Sequence, residues 1–336
     1  MSSLWFSVTQ NKKITQRRHR EPQSDNLKCA RQIAGVLFFS LPLQSQITPN
    51  MNKYKEALSQ FKLDIQDEDI SRKVAGIVAK AKENYTPEVL RFLYSCIDLT
   101  SLGTEDSKES IRKWIETVND FDGSRGDMQN VAAVCVYPNW VATVREALQA
   151  DVKIAAVAGG FPSSQTFQEV KIAEVSLAVV DGAEEMDVVL NCGELLDHNY
   201  EAVSEEIMEL KDACRGAHLK VILETGLLKT AARIQTAAIL ALYAGADFLK
   251  TSTGKVYPGA TPEAVYVMCE AIREYHRLHN KKIGVKVSGG IRTADEAVVY
   301  YTLIKALLGD EWLTPEYFRI GASSLAGSLF NEITRL

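Results

Sequence analysis

From residue 94 onward the chain alternates short apolar runs with longer segments whose apolar residues recur at i, i+3, i+4 and i+7. The short runs are 95–100 (SCIDLT), 131–137 (VAAVCVY), 154–158 (IAAVA), 185–191 (EMDVVLN), 219–225 (LKVILET), 247–252 (DFLKTS), 283–288 (IGVKVS) and 318–322 (FRIGA). Their length and content suit buried strands, while the longer segments suit helices with one face on a sheet. The helical segments include 166–181, 200–216, 231–245, 262–279 and 294–308. Two open with strong start signals: Thr261 before Pro262, and Thr293 with Glu296 three positions on, an N-cap followed by proline and a capping box. Eight strand–helix units between residues 94 and 336 fit the roughly 250 residues of a closed barrel. No GxGxxG follows the first strand and no P-loop occurs, which argues against a doubly wound open sheet. The predicted fold is therefore α/β, a (β/α)8 TIM barrel over 94–336. Extra N-terminal helices over 51–93 cap its bottom or wrap its side, so that 51–336 is a single domain.

The first fifty residues differ from the rest. The apolar run 33–43 (IAGVLFFSLPL) is 11 residues long, short of the about 20 that span a bilayer. Arg17 and Arg18 lie well upstream of that run, and no small-x-small cleavage site follows it, so the anatomy of an export signal is incomplete. After Met51 the sequence turns to a mixed-charge, helix-forming opening. The segment 1–50 reads as an upstream extension of a reading frame starting at Met51, with a disordered extension and a cryptic export signal as alternatives.

Charge sharpens that boundary. Residues 1–50 carry seven Lys or Arg and two acids, against a whole-chain formal charge of −5. The body is thus acidic, which argues against nucleic-acid binding. An anionic ligand would need a local positive pocket. Six cysteines are present and none forms a CxxC pair, so a zinc ribbon or thioredoxin-type site is excluded. Cys96, Cys135 and Cys192 lie in apolar runs and read as buried reduced thiols of a cytoplasmic protein. His276 and His279 share a helical face without a third ligand, so no metal site is expected.

Candidate chemistry stands at the strand ends, where barrel enzymes work: Asp98, Asp187, Glu224, Lys250 and Lys286. Alternation puts Lys250 and Lys286 on matching faces of the sixth and seventh strands, about 4.8 Å apart if both point inward. A stability-only alternative pairs them with Asp187 and Glu224, but two adjacent cations are costly for stability alone. A lysine nucleophile must be neutral, and near pKa 10.4 only about one amine in 2,500 is neutral at pH 7. A neighbouring cation and partial desolvation raise that fraction. Asp187 can then pass protons to and from the adduct. Lysine, lysine and aspartate in a barrel mouth read as Schiff-base chemistry.

Three later segments suit an anion: Thr253-Gly254-Lys255 after strand six, Ser288-Gly289-Gly290-Ile291-Arg292 after strand seven, and Gly321-Ala322-Ser323-Ser324 at the end of strand eight. Glycines let backbone N–H groups approach a phosphate, and a helix N-terminus adds its dipole. A substrate with a phosphate at one end and a carbonyl near Lys250 is expected.

The segments CIDLTSL, AAVCVYP, GAEEMDVVLN, LKVILETG, GADFLKTSTGK, GVKVSGGIRTADEA and FRIGASSL resemble the deoxyribose-phosphate aldolase family in unbroken order from about residue 93 to 329. The resemblance implies that Lys250 forms the Schiff base, that Lys286 lowers its pKa and that Asp187 relays protons. It implies phosphate binding by Thr253, Gly254, Lys255, Gly289, Gly290, Arg292, Gly321, Ser323 and Ser324, with Asp98 and Thr100 near the substrate hydroxyls. The implied reaction is reversible cleavage of 2-deoxy-D-ribose 5-phosphate to acetaldehyde and D-glyceraldehyde 3-phosphate, with no metal or cofactor. Partners would be phosphorylated sugar and aldehydes, with no nucleic acid and no membrane; apolar residues on the barrel helices allow a homodimer. Some members end in a mobile tyrosine, whereas this chain ends Thr334-Arg335-Leu336. Proton transfer would then rest more heavily on Asp187 and water. Two rivals are a barrel decarboxylase, for which no DxKxxD run occurs, and a non-catalytic phospho-sugar-binding barrel, which would lack one of the two lysines or Asp187.

Overall fold

The computed structural model describes residues 53–61 and 66–336, so the expectations for residues 1–50 lie outside the described residues. Eight parallel strands close into a barrel in chain order: β1 (Ile97–Thr100), β2 (Ala133–Val136), β3 (Lys153–Ala158), β4 (Glu185–Val189), β5 (His218–Ile222), β6 (Phe248–Lys250), β7 (Gly284–Ser288) and β8 (Phe318–Ala322). β8 pairs back onto β1, with Asp98 beside Gly321, so no strand edge is left open.

The helices in chain order are α1 (Lys53–Ser59), α2 (Asp67–Val78), α3 (Pro87–Ser95), α4 (Lys108–Phe121), α5 (Val141–Ala147), α6 (Gln168–Asp181) and α7 (Cys192–Leu196). They continue with α8 (Tyr200–Cys214), α9 (Thr225–Leu228), α10 (Ala231–Tyr243), α11 (Pro262–His279), α12 (Ala294–Leu308) and α13 (Leu325–Arg335). α11 starts where its signal places it, with Thr261 Oγ1 accepting from the Ala264 N–H. The capping box of Thr293 and Glu296 opens α12.

All eight expected strands are present, several of them trimmed. The run 131–137 shortens to Ala133–Val136 because Pro138 begins a 3-10 turn and has no N–H for a ladder. The run 185–191 stops at Val189, and Asn191 instead caps α7. The run 219–225 stops at Ile222, with Thr225 already opening α9.

Alternation along the strands sorts side chains to two sides. Val134, Ile154, Met186, Leu219, Val285 and Ile320 point outward into one apolar layer shared with the helices. Inward, Ala133, Cys135, Ala155 and Val157 form a small apolar cluster of their own, and the remaining strands send charged groups into the barrel. Of the two positions expected for the N-terminal helices, they take the side. Ala57, Leu58 and Phe61 lie against Ile239 of α10, α2 packs on α11 and α12, and α3 on α12 and α13. Among the described residues no helix is long and apolar enough to cross a membrane.

Candidate active site

Register brings the two lysines together: Lys250 of β6 is the direct partner of Lys286 of β7. Both amines reach one oxygen of Asp187 on β4, Lys250 at 2.8 Å and Lys286 at 2.6 Å. Lys286 is also 2.5 Å from Asp98 on β1. The two cations are therefore held unequally. Lys286 has two carboxylates and is fully buried, whereas Lys250 has one and borders the cavity above.

Glu185, Lys220 and Arg319, which sequence reasoning passed over, complete the interior. Lys220 of β5 touches Asp98 at 2.7 Å, Glu185 at 2.5 Å and Asp187 at 3.3 Å. Arg319 of β8 donates to Asp98 at 2.6 Å and forks onto Glu185 at 2.9 and 3.1 Å. Its Nε also bonds the Pro315 carbonyl. Lys153 approaches Glu185 from the lower rim at 3.6 Å, with its side chain partly in solvent. Glu185 and Asp187 are two positions apart on one strand, and Lys220 stands in register with Asp187. That period-two signal, together with charge inside an aliphatic run, could have revealed them.

The electrostatics follow from this unequal sharing. Burial pushes the Lys250 amine below its ordinary pKa and Lys286 pushes the same way, together outweighing the pull of Asp187. Burial also acts to lower Lys286, but Asp187 and Asp98 overcome it and hold that amine well above the ordinary lysine value. Asp187 resists the upward push of burial because Lys220, Lys250 and Lys286 surround it, and it stays far below the usual carboxylate range. Asp98 and Glu185 are lowered against burial in the same manner, by Lys220 with Lys286 or Arg319. One oxygen of Asp187, Oδ1, is buried without a hydrogen bond, since Lys220 lies beside it at 3.3 Å without donating to it. It is an acceptor with capacity to spare on the carboxylate whose other oxygen takes Lys250 and Lys286.

Above Lys250 lies a cavity of about 460 Å³. Thr100, Thr253, Gly254, Lys255, Gly289, Gly290, Arg292, Gly321, Ser323 and Ser324 all line it. Thr100 Oγ1 donates to the Asp98 carbonyl at 2.9 Å. Asp98, Asp187 and Lys286 lie beneath the cavity, and both Asp98 oxygens are engaged by cations. Lys255 ties its amine to the Leu102 carbonyl at 2.6 Å, linking the loops after β6 and β1. Gly290 has φ +87° with nothing near an added Cβ, a left-handed backbone that glycine adopts without strain. Gly321 makes room instead: a Cβ there would stand 3.0 Å from the Lys286 Cε and from the Ser288 Cβ. Ser324 precedes α13, whose N-terminus opens on the cavity.

Glu224 corrects the strand-end reading, and with it the stability-only alternative that paired it with the lysines. As a counter-ion for the lysines it would have faced the barrel, but the strand ends at Ile222 and Glu224 takes a left-handed turn, φ 53°. Its carboxylate accepts from the Thr253 N–H at 3.2 Å and hydroxyl at 2.6 Å, so it holds the loop that follows Lys250. On the opposite side of the mouth, Leu102, Tyr137 and Phe161 pack on the small apolar cluster, and the Tyr137 and Phe161 rings meet edge-on, 6.1 Å between centroids.

A closed (β/α)8 barrel with a partly relieved amine beneath an anion-fitted mouth has the layout of a barrel enzyme acting on a small, charged carbonyl compound. Residues 94–324 match the DeoC/LacD family of aldolases, and the chain belongs to that family. It is 38% identical over 289 residues to a human protein named deoxyribose-phosphate aldolase, spanning 81% of this chain and 90% of that one. The bovine protein of the same name is also 38% identical over 289 residues, with the same coverage. Among solved structures, the tetrameric deoxyribose phosphate aldolase of Aeropyrum pernix superposes with a TM-score of 0.60 at 27% identity, over 77% of this chain and 98% of that one.

Proposed function

We propose that this chain cleaves 2-deoxy-D-ribose 5-phosphate reversibly to acetaldehyde and D-glyceraldehyde 3-phosphate, through a Schiff base on Lys250. The observation that carries this reading is the unequal lysine pair: a buried amine with lowered pKa at the cavity floor, beside a second amine held charged by two carboxylates. Neutral Lys250 attacks C1 of the open-chain sugar, and loss of water gives the imine. The C3 hydroxyl gives up its proton as the C2–C3 bond breaks, the electron pair passing into the protonated imine to form an enamine. Glyceraldehyde 3-phosphate leaves, C2 is reprotonated, and water releases acetaldehyde and Lys250. Asp187 Oδ1, the unbonded acceptor, handles these protons directly or through a water. Lys286, held charged by Asp187 and Asp98, helps keep the Lys250 amine neutral. The loops around Thr253, Gly254, Lys255, Gly289, Gly290, Arg292, Gly321, Ser323 and Ser324 hold the phosphate, and Thr100, with Asp98 beneath it, faces the sugar hydroxyls.

This reaction belongs to deoxyribose catabolism. The cytoplasm is the compartment we assign, on five described cysteines that are all buried free thiols. Residues 1–50 take no part, and a chain beginning at Met51 would keep kcat and melting midpoint unchanged. A homodimer is the assembly supported by α6, which exposes Val170, Leu177 and Val180 at coiled-coil spacing around the small Ala173. Antiparallel pairing centred at the level of Val175, which itself faces the core, would seat each Leu177 over the partner copy's Ala173, and sedimentation of Leu177→Asp as a monomer is the expected check.

The experiment that tests the reaction is reductive trapping. Acetaldehyde with borohydride should leave an N-ethyl group on Lys250, found by peptide mass. Lys250→Arg stays protonated and should lose both trapping and activity. Adduct on any other lysine would overturn the assignment. Absence of adduct would favour the non-catalytic phospho-sugar-binding barrel.

A further inference from the structure

We propose that Glu185 and Arg319 are positioning residues that set the charge on Lys250 from the floor of the barrel. Neither borders the cavity, and both are essentially buried. Each is joined to Lys250 only through other side chains, Arg319 and Glu185 to Lys220 and Asp98, and these to Asp187 and Lys286.

The argument is one of charge balance. The charged groups that face Lys250 across the interior are Asp98 from β1, Glu185 and Asp187 from β4, Lys220 from β5, Lys286 from β7 and Arg319 from β8. The thiol of Cys135 faces it from β2 and is pushed up by burial, hence neutral; β3 contributes Lys153 at the solvent rim. Fully ionised, the buried set holds four cations and three carboxylates. One surplus positive charge in a low-dielectric interior is unfavourable, and losing one proton removes it. Arg319 cannot lose it. Lys220 touches three carboxylates and Lys286 two, while Lys250 touches one. The proton therefore leaves from Lys250.

Glu185 and Arg319 enter this balance with opposite signs. Stability alone does not call for them, since Ala133 and Ala155 serve at comparable inward positions on β2 and β3, and a buried ion pair is often no more stable than an apolar one. Removing the Glu185 charge makes the surplus larger and Lys250 readier to lose its proton. Removing the Arg319 charge abolishes the surplus and lets Lys250 keep it.

The test reads the acidic limb of kcat/KM against pH, together with the pH midpoint of borohydride trapping on Lys250. Glu185→Gln should move both to lower pH and Arg319→Met to higher pH, each by about one unit for one charge removed at an effective dielectric near 20. The double variant should return to within a few tenths of the unaltered protein, and Arg319→Lys, which keeps the charge, should not shift. Should one single variant fail to fold, the other decides by the sign of its shift, and a displaced midpoint in the charge-balanced double variant also overturns the proposal. Shifts of the same sign in Glu185→Gln and Arg319→Met, or an unmoved limb in either folded single variant with only a lower melting midpoint, also overturn it. The inference rests on the proposed reaction but fails separately. Trapping that never maps to Lys250 removes the reaction, whereas trapping at Lys250 with unmoved midpoints removes only the role of Glu185 and Arg319.

Discussion

The two sides of the same eight strands are built on opposite principles. Outward, Val134, Ile154, Leu219, Leu249, Val285 and Ile320 are fully or almost fully buried under the helices, and each such side chain contributes roughly 1.5–3 kcal/mol by leaving water. Inward, Asp98, Glu185, Asp187, Lys220, Lys286 and Arg319 are buried as ions around the Lys250 amine, an arrangement whose desolvation cost rivals or exceeds its Coulombic gain. The outer layer holds the fold together, and that surplus stability permits an inner layer arranged for reactivity. The difference teaches that stability and chemistry are separated here by a single pleat. Neighbours in sequence, such as Leu249 and Lys250, belong to different layers.

The sharpest way to break this comparison is to change an inner charge while sparing the outer layer. Lys286→Leu removes the cation beside Lys250 but leaves the nucleophile. Without it, Asp187 and Asp98 draw the Lys250 proton back, so activity at neutral pH should fall by about two to three orders of magnitude. The sign of the pH dependence follows: a raised Lys250 pKa moves the active, neutral form to higher pH, and part of the loss should return in alkaline buffer. A loss that stays the same across pH would mean that Lys286 acts by some means other than charge.

The reverse experiment cuts the outer layer alone. Leu219→Ala on β5, between the helices and a strand whose inner face carries Lys220, should lower stability by about 2–5 kcal/mol. Well below its melting midpoint the variant should retain the kcat and pH profile of the unaltered protein. A displaced pH profile would show that the two layers are not independent.

A smaller and more local effect is expected at the mouth. Gly290→Val puts a β-branched residue at φ +87°, so the loop must shift and its N–H groups leave the anion. KM for the phosphorylated sugar should rise about tenfold or more, equal to about 1.4 kcal/mol or above. Turnover of unphosphorylated 2-deoxyribose should change much less. Equal losses on both substrates would place the anion elsewhere.

How far the sequence could be read followed the same division of layers. Outward residues announced the strands, because aliphatic runs between helical patterns have few other interpretations. Lys250, Lys286 and Asp187 were legible because charge inside such a run needs a reason. Lys220, Glu185 and Arg319 carried the same signal, but their meaning lies in partners far along the chain: Arg319 meets Asp98 across 221 positions. Closure of the barrel creates that neighbourhood, and no local pattern encodes it. Glu224 failed for the opposite reason. Alternation was extended two residues beyond the end of β5, where a left-handed turn sends the carboxylate to Thr253 and away from the lysines. The end of a strand is a tertiary fact, decided by where ladder partners stop.

The stem of Lys286 crowds the place where a methyl group at 321 would stand: a Cβ there would be 3.0 Å from the Lys286 Cε and as close to the Ser288 Cβ. An alanine would ask both neighbours to give by a few tenths of an ångström, and the lysine has little slack, since Asp98 and Asp187 hold its amine. A larger residue needs a shorter or displaced side chain at 286, and shortening it removes the charge beside the nucleophile. Change at 321 is therefore coupled to change at 286 and 288. In divergent barrels of this type, a larger residue opposite the lysine would mark a site whose chemistry has already changed.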